Sequence, residues 1–88
     1  MRNIKLTGRE LSIVRTMGFH EAMRGVDILE QTKMDAEDVA FALNGLLSAG
    51  FVESVPYYEE ISPTDLETVS FEVNPAYVGD LKTAMVRR

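Results

Sequence analysis

The start of the chain carries a helical pattern with well-marked ends. Thr7 and Glu10 have the spacing of a capping box, in which each side chain accepts a hydrogen bond from the other residue's backbone N–H. Gly18 follows as a stop signal. Between these ends, apolar residues recur at helical spacing at Leu11, Val14 and Met17. The pattern therefore predicts a first helix over about residues 7–17.

Three further helices are predicted downstream, over about residues 25–31, 35–49 and 75–86. The longest begins at the capping residue Asp35 and ends where Gly50 can take a left-handed conformation. Asn74 followed by Pro75 marks the start of the last helix. The stripe that the longest helix is expected to bury consists of Val39, Leu43, Leu46 and Leu47.

Two strands are predicted between the third and fourth helices. Residues 68–73 alternate with Val69, Phe71 and Val73 on one face, which is typical of a half-buried strand. Residues 51–55 alternate enough for a second strand, and the stretch between the two reads as a solvated acidic loop. The chain is thus expected to form one domain over residues 1–88. Its predicted class is mainly α with a small β-wing (α+β), in the order α-α-α-β-loop-β-α.

The charge of the chain is unevenly distributed. The formal net charge is −5 at pH 7. From Met34 to Leu81 there are ten Asp or Glu residues and no Lys or Arg, whereas residues 1–33 and 82–88 are each net positive. This polarity indicates a charged partner, or neutralisation of the acidic middle by the ends of the chain.

Residues 35–53, with the sequence DAEDVAFALNGLLSAGFVE, resemble the recognition helix and first wing strand of MarR-like winged-helix proteins. The recurring features are a capping polar residue, Val, two Leu residues, and then a Gly, an apolar residue, Val and Glu. The resemblance extends over roughly residues 6–86 and implies a winged helix-turn-helix fold. It is specific for fold and weak for function, because one fold hosts many functions.

The resemblance also implies which residues would face a DNA groove: Ala36, Glu37, Ala40, Phe41 and Asn44. Of these, Asn44 alone is of a type that reads bases, by pairing with adenine. The implied wing, residues 57–67, carries four acids where related wings often carry a basic residue. Since Lys and Arg contacts to phosphates supply most of the affinity for DNA, the charge argues against DNA readout.

Two functions are therefore predicted, and the first is favoured. The first is a small acidic module that acts through protein contacts, as a homodimer or as an adaptor for a basic protein. The alternative is a DNA-binding transcriptional regulator in which Asn44 reads a base. Its phosphate contacts would come from the basic residues Arg9, Arg24, Lys33, Arg87 and Arg88.

Phe41 is the most informative candidate for a protein contact. It lies about 200° round the third helix from Val39, at about 100° per residue. It therefore either packs under the wing or against the first helix, or forms an exposed apolar contact. Tyr57 and Tyr58 carry the same two alternatives, and tyrosines are favoured in interfaces. The full set of candidate contact residues is Ala40, Phe41, Asn44, Tyr57 and Tyr58.

The last helix has a broad apolar face. The resemblance implies that terminal helices of this kind pair in a dimer. The candidate dimer-interface residues are Tyr77, Val78, Leu81 and Met85.

The sequence offers little for catalysis or metal binding. His20 is the single histidine, there is no cysteine, and the six glycines form no phosphate loop. The acids of residues 59–67 lack the alternation and central glycine of a calcium loop. We therefore expect no enzyme activity, cofactor or metal. The lack of cysteine suggests a reducing cytoplasm, and no apolar run suggests a signal peptide or a membrane span.

Overall fold

A computed structural model describes residues 5–86, which form a mostly helical α+β domain. The predicted class is confirmed at this level. The α-helices are α1 (Gly8–Met17), α2 (Gly25–Thr32), α3 (Ala36–Ala49) and α4 (Val78–Val86). The strands are β1 (Met23–Arg24), β2 (Val52–Val55) and β3 (Ser70–Val73). Two short 3-10 helices span Pro63–Glu67 and Pro75–Tyr77.

Local signals set most of the helix ends. At α1 the backbone N–H of Thr7 donates to Glu10 Oε1 over 2.9 Å, and the N–H of Glu10 donates to Thr7 Oγ1 over 3.1 Å, as the capping box predicts. Gly18 and Gly50 end α1 and α3 with φ angles of 73° and 86°, which favour glycine. The expected side-chain cap by Asp35 is not made, although Asp35 does occupy the N-cap position of α3.

The last helix differs from its predicted extent. The side chain of Asn74 accepts a hydrogen bond from the N–H of Ala76 over 3.0 Å, as an N-cap does. The turn that follows is the 3-10 helix Pro75–Tyr77, so the α-helical part begins at Val78 rather than at residue 75.

The sheet is antiparallel, with the strand order β1-β3-β2. β3 lies in the centre, where Phe71 pairs with Met23 of β1 and with Ser54 of β2. β1 was not predicted, and the other two strands are shorter than the predicted ranges 51–55 and 68–73. The predicted inner face holds, since Val69, Phe71 and Val73 are all buried.

The core lies between the helices and one face of the sheet. The predicted stripe of α3 is confirmed in Val39, Leu43 and Leu46, which are fully buried, while Leu47 is partly buried. The largest fully buried side chains in the other elements are Ile13, Ile28, Leu66, Phe71 and Leu81. This core holds α1 and α2 against the inner side of α3 and leaves the outer side of α3 facing away from the core.

The segment between β2 and β3, residues 56–69, is called the connecting loop here. Its acids Glu59, Glu60 and Glu67 are exposed, as predicted, but other residues of the loop are buried. Ile61 and Leu66 are buried, and the 3-10 helix Pro63–Glu67 packs against α2 and α3. A Cβ atom on Gly25 would lie 2.7 Å from the backbone of Leu66, so the loop approaches the start of α2 closely. The connecting loop therefore folds down onto the helices.

Candidate functional site

Phe41 projects from the outer surface of α3. Its side chain is 78% exposed, so neither α1 nor the connecting loop covers it. Of the two alternatives left by the sequence, the structure excludes packing under the wing or against the first helix. Exposing a phenylalanine forgoes about 1.5–3 kcal/mol of burial. Within α3, Phe41 is the exposed large apolar side chain, and this singles it out as a contact candidate.

A groove of about 490 Å³ begins beside Phe41. Its α3 side is formed by Phe41, Asn44, Gly45 and Ser48, and its rims carry acids from two other elements. Those acids are Glu10 from α1 and Glu59 and Glu60 from the connecting loop. Within the part of the chain that the structure describes, no Lys or Arg lines this groove. We call it the α3 groove.

Gly45 lets the acid of α1 approach the α3 groove. A Cβ atom at this position would lie 2.6 Å from Glu10 Oε2, so any larger residue would displace the carboxylate. The other oxygen of Glu10 already accepts the N–H of Thr7 in the capping box. The capping box therefore holds a negative charge at one rim of the α3 groove. The sequence showed the cap but gave no signal that the carboxylate also faces α3.

A second groove, of about 570 Å³, adjoins the first and follows β2. Ser48 and Glu59 line both grooves, so the two lie side by side. The second groove extends from Gly50 and Asn74 at one end of β2 to Tyr57 and Tyr58 at the other. Its acids are Glu53, Glu59 and Glu72, and it too is lined by no Lys or Arg from residues 5–86. We call it the β2 groove.

The aromatic residues of the connecting loop lie at one end of the β2 groove. Tyr57 is 77% exposed, and Tyr58 is 37% exposed. Ser54 fixes this end of the loop, because its buried Oγ accepts the N–H of Tyr58 over 2.7 Å. Val55, which is 53% exposed, was not among the predicted contact residues. The alternation of β2, with Glu53 and Val55 pointing outward, was the signal that could have found it.

Asn44 is held by the connecting loop. Its Nδ2 donates to the carbonyl oxygen of Ile61 over 2.9 Å, and its Oδ1 accepts the N–H of Ile61 over 2.8 Å. Bidentate pairing with adenine needs the same amide oxygen and nitrogen together. In this conformation the Asn44 amide holds the loop through both of its polar atoms, so bidentate pairing with adenine would compete with the bonds to Ile61.

Ala40 is a correction to the predicted contact set. It is 4% exposed and belongs to the core. The geometry explains the error, because Ala40 lies one turn before Asn44 on the side of α3 that meets the connecting loop. The sequence interpretation left that side open because it treated the loop as solvated.

The predicted dimer face of α4 is largely used inside the domain. Leu81 is fully buried, so it is wrong as an interface residue. Tyr77, Val78 and Met85 are partly buried against the core. The Tyr77 ring also packs edge-on against Phe51, with ring centroids 5.0 Å apart. A broad apolar face therefore does exist on α4, but much of it covers the domain's own core.

Among the described basic residues of the DNA alternative, Arg9 and Arg24 each contact another part of the chain. The Arg24 guanidinium donates to the carbonyl oxygen of Glu67 over 2.9 Å. Arg9 lies 3.6 Å from the carboxylate of Asp38. Lys33 is exposed in the turn between α2 and α3, with a φ angle of 61°. Arg87 and Arg88 lie outside the described residues.

The described residues show no metal site or membrane-spanning helix. Across residues 5–86, no three His, Cys, Asp or Glu side chains are grouped so that they could bind a metal ion. None of the helices within that range is both long and apolar enough to cross a bilayer. His20 is exposed in the turn between α1 and β1.

Comparisons of the chain with protein-family models, with curated proteins and with solved structures found no match.

Proposed function

We propose that this chain is an acidic protein-binding module that docks a basic partner protein in the α3 and β2 grooves. The observation that carries the proposal is the solvent-exposed Phe41 beside carboxylates from α1 and the connecting loop. An exposed aromatic side chain supplies an anchor that is desolvated on binding. The surrounding acids favour partners of opposite charge and speed their association.

We further infer that the fold is a winged helix-turn-helix of the MarR-like type. Three features support this assignment. Helices α2 and α3 are joined by the short turn at residues 33–35, as in a helix-turn-helix. β2 and β3 form an antiparallel pair directly after α3, and a closing helix follows them. On this assignment α3 takes the place of the recognition helix, while Asn44 and the folded-down connecting loop disfavour use of α3 for reading DNA.

Parallel titrations can test the proposed function. A labelled Lys- and Arg-rich peptide and a labelled random-sequence duplex would each be titrated with the protein, over a range of salt concentrations, by fluorescence anisotropy. We expect the peptide to bind and the duplex not to bind. Binding of the duplex without binding of the peptide would overturn the proposal and favour the DNA-binding alternative.

Substitution of the aromatic anchor makes the test specific to the groove. Phe41→Ser should weaken peptide binding by roughly tenfold or more, since anchor residues at the centre of an interface each contribute about 2 kcal/mol or more. Val86→Ser is the matched control, because Val86 is 83% exposed but lies on α4. Equal effects of the two substitutions would show that the α3 groove is not the binding surface.

A further inference from the structure

β2 lies at an edge of the sheet. The hydrogen bonds around it show which of its backbone N–H and C=O groups point to β3 and which point to the free side. The N–H of Asn74 donates to the carbonyl of Phe51, in line with the register that pairs Val52 with Val73. In an antiparallel pair, hydrogen-bonded positions alternate along the strand. Glu53 and Val55 therefore direct their backbone groups to β3. The N–H and C=O groups of Val52 and Ser54 then point to the free side of β2.

The hydrogen bonds on the other side of β3, toward β1, agree with this assignment. The N–H of Gly25 donates to the carbonyl of Val69, in line with the register between β1 and β3. The backbone N–H and C=O groups of odd-numbered residues of β3 therefore point to β1, and those of even-numbered residues point to β2. Among residues 5–86, no turn or loop backbone hydrogen-bonds Val52 or Ser54. The open edge of β2 thus offers two N–H and two C=O groups to an incoming strand.

We propose that β2 binds an extended, Lys- or Arg-bearing segment of the partner protein as a fourth strand of the sheet. This deepens the proposed function and depends on it. The β2 groove runs the length of the open edge, so an extended peptide has space beside the strand. Strand addition of this kind gains affinity from backbone hydrogen bonds and specificity from alternate side chains.

The side chains beside the open edge define the sequence pattern of the incoming strand. On the outer face of the sheet, Glu53 and Glu72 are paired neighbours, and both line the β2 groove. On the other side of the groove lie Leu47 and Ser48 at the end of α3. Since side chains alternate between the two faces of a strand, Lys or Arg should alternate with apolar residues. Basic residues then face Glu53 and Glu72, and apolar residues face Leu47.

A second copy of this chain is a poor occupant of the same edge. Antiparallel pairing of two β2 strands about a twofold axis would bring both copies of Glu53 and Glu72 onto one face of the joined sheet. Like charges opposite each other across strands are destabilising. The charge pattern therefore selects a basic partner over self-association through β2.

The experiment uses an eight-residue labelled peptide of alternating Lys and Val, and two N-methylated versions of it. One version is N-methylated at every Lys, and the other at every Val. The three peptides keep the same charge and side chains, but each methylated one loses the N–H groups along a different edge. We expect the unmodified peptide to bind, one methylated peptide to bind similarly, and the other to lose at least tenfold in affinity.

The outcomes separate strand addition from the proposed function. If the unmodified peptide binds and the two methylated peptides have equal affinities, whether strong or weak, strand addition is overturned while the proposed function survives. If neither this peptide nor the Lys- and Arg-rich peptide of the first titration binds, both proposals fail. Hydrogen exchange gives an independent readout, because binding should protect the amides of Val52 and Ser54 and leave those of Glu53 and Val55 unchanged.

A charge-reversal variant tests whether the peptide binds at the β2 edge. Glu53→Lys should weaken binding of the unmodified peptide by roughly fivefold, as expected for a partly exposed ion pair. Glu30→Lys changes the net charge of the chain equally but lies on the exposed side of α2, so it serves as the control. If the two variants bind equally, the attraction is a property of the whole chain and the assignment to β2 is wrong.

Discussion

Three residues within one turn of α3 have three different surroundings. Leu43 is fully buried, Asn44 bonds the connecting loop, and Phe41 faces solvent. A helix rotates about 100° per residue, so neighbouring positions reach quite different surroundings. The same helix can therefore stabilise the domain and present a binding surface, and substitutions can separate the two roles.

Leu43→Ala should strongly destabilise the domain. The side chain is fully buried, so its truncation leaves a cavity and costs about 2–5 kcal/mol in free energy of unfolding. Leu46→Ala, at another fully buried position of α3, should cost a similar amount. Chemical denaturation would measure both. Phe41→Ala is the control on the same helix and should change stability by less than about 0.5 kcal/mol. A small loss for Leu43→Ala would show that α3 does not bury this face.

Gly25→Ala should also destabilise the domain, through a clash rather than a cavity. The new Cβ would lie 2.7 Å from the Cα and carbonyl oxygen of Leu66, and backbone atoms cannot yield as a flexible side chain can. We expect a cost of about 1–3 kcal/mol in thermal or chemical unfolding. Gly79→Ala is the matched control, because no atom lies within 4 Å of its added Cβ. Within α4 that change should stabilise the domain by roughly 0.5–1 kcal/mol. Equal effects at the two glycines would contradict the close approach of α2 and the connecting loop.

At the scale of elements, local signals were predicted well and distant pairings were not. The capping box of α1 and the glycines that end α1 and α3 each depend on residues a few positions apart, so the sequence displays them. β1 has only two residues and exists through its pairing with β3, whose partner residues lie 46 and 48 positions later along the chain. No periodic pattern can form in two residues, so nothing in the local sequence predicts this strand.

The connecting loop shows the same limit and has consequences for the candidate site. Its acids and Pro63 indicate a solvated segment, yet Ile61 and Leu66 are buried. Two apolar residues five positions apart fit neither strand nor helix periodicity, so their burial was not apparent. This one element explains why Ala40 was misplaced as a contact residue and why the Asn44 amide bonds to backbone. Phe41 and Tyr57, for which the sequence left two alternatives, are both exposed.

Asn44→Ala should release the middle of the connecting loop. The substitution removes both hydrogen bonds to the backbone of Ile61, whose side chain is buried, at a cost of about 1–3 kcal/mol. Hydrogen exchange at the amide of Ile61 should accelerate more than exchange in β3 does. Ser48→Ala is the control, since Ser48 lies one turn further along α3 and is exposed. If Ile61 stays equally protected in the Asn44 variant, the loop is held by its apolar contacts alone.

At the scale of the whole molecule, the separation of charge governs which partners are attracted. The ten acids from Met34 to Leu81 include every acid that lines the grooves except Glu10, whereas all nine Lys and Arg residues lie before Met34 or after Leu81. Screening at physiological salt acts over about 8 Å, so a partner in the grooves experiences mainly the acids near it. The net charge of −5 understates the local field that the partner meets.

This charge map predicts that the protein does not bind random duplex DNA with an affinity tighter than about 10⁻⁴ M, the weak end of ordinary non-specific binding. Each acid near a phosphate adds repulsion, and a surface without cations releases no counterions from the duplex. Fluorescence anisotropy of a labelled duplex across a salt series is the measurement. A triple variant, Glu53→Lys, Glu59→Lys and Glu60→Lys, is the positive control and should gain both affinity and a salt slope. Micromolar binding by the unmodified protein with a steep salt slope would contradict the prediction, and Arg24→Glu and Lys33→Glu would then show whether the residues before α3 contact the phosphates.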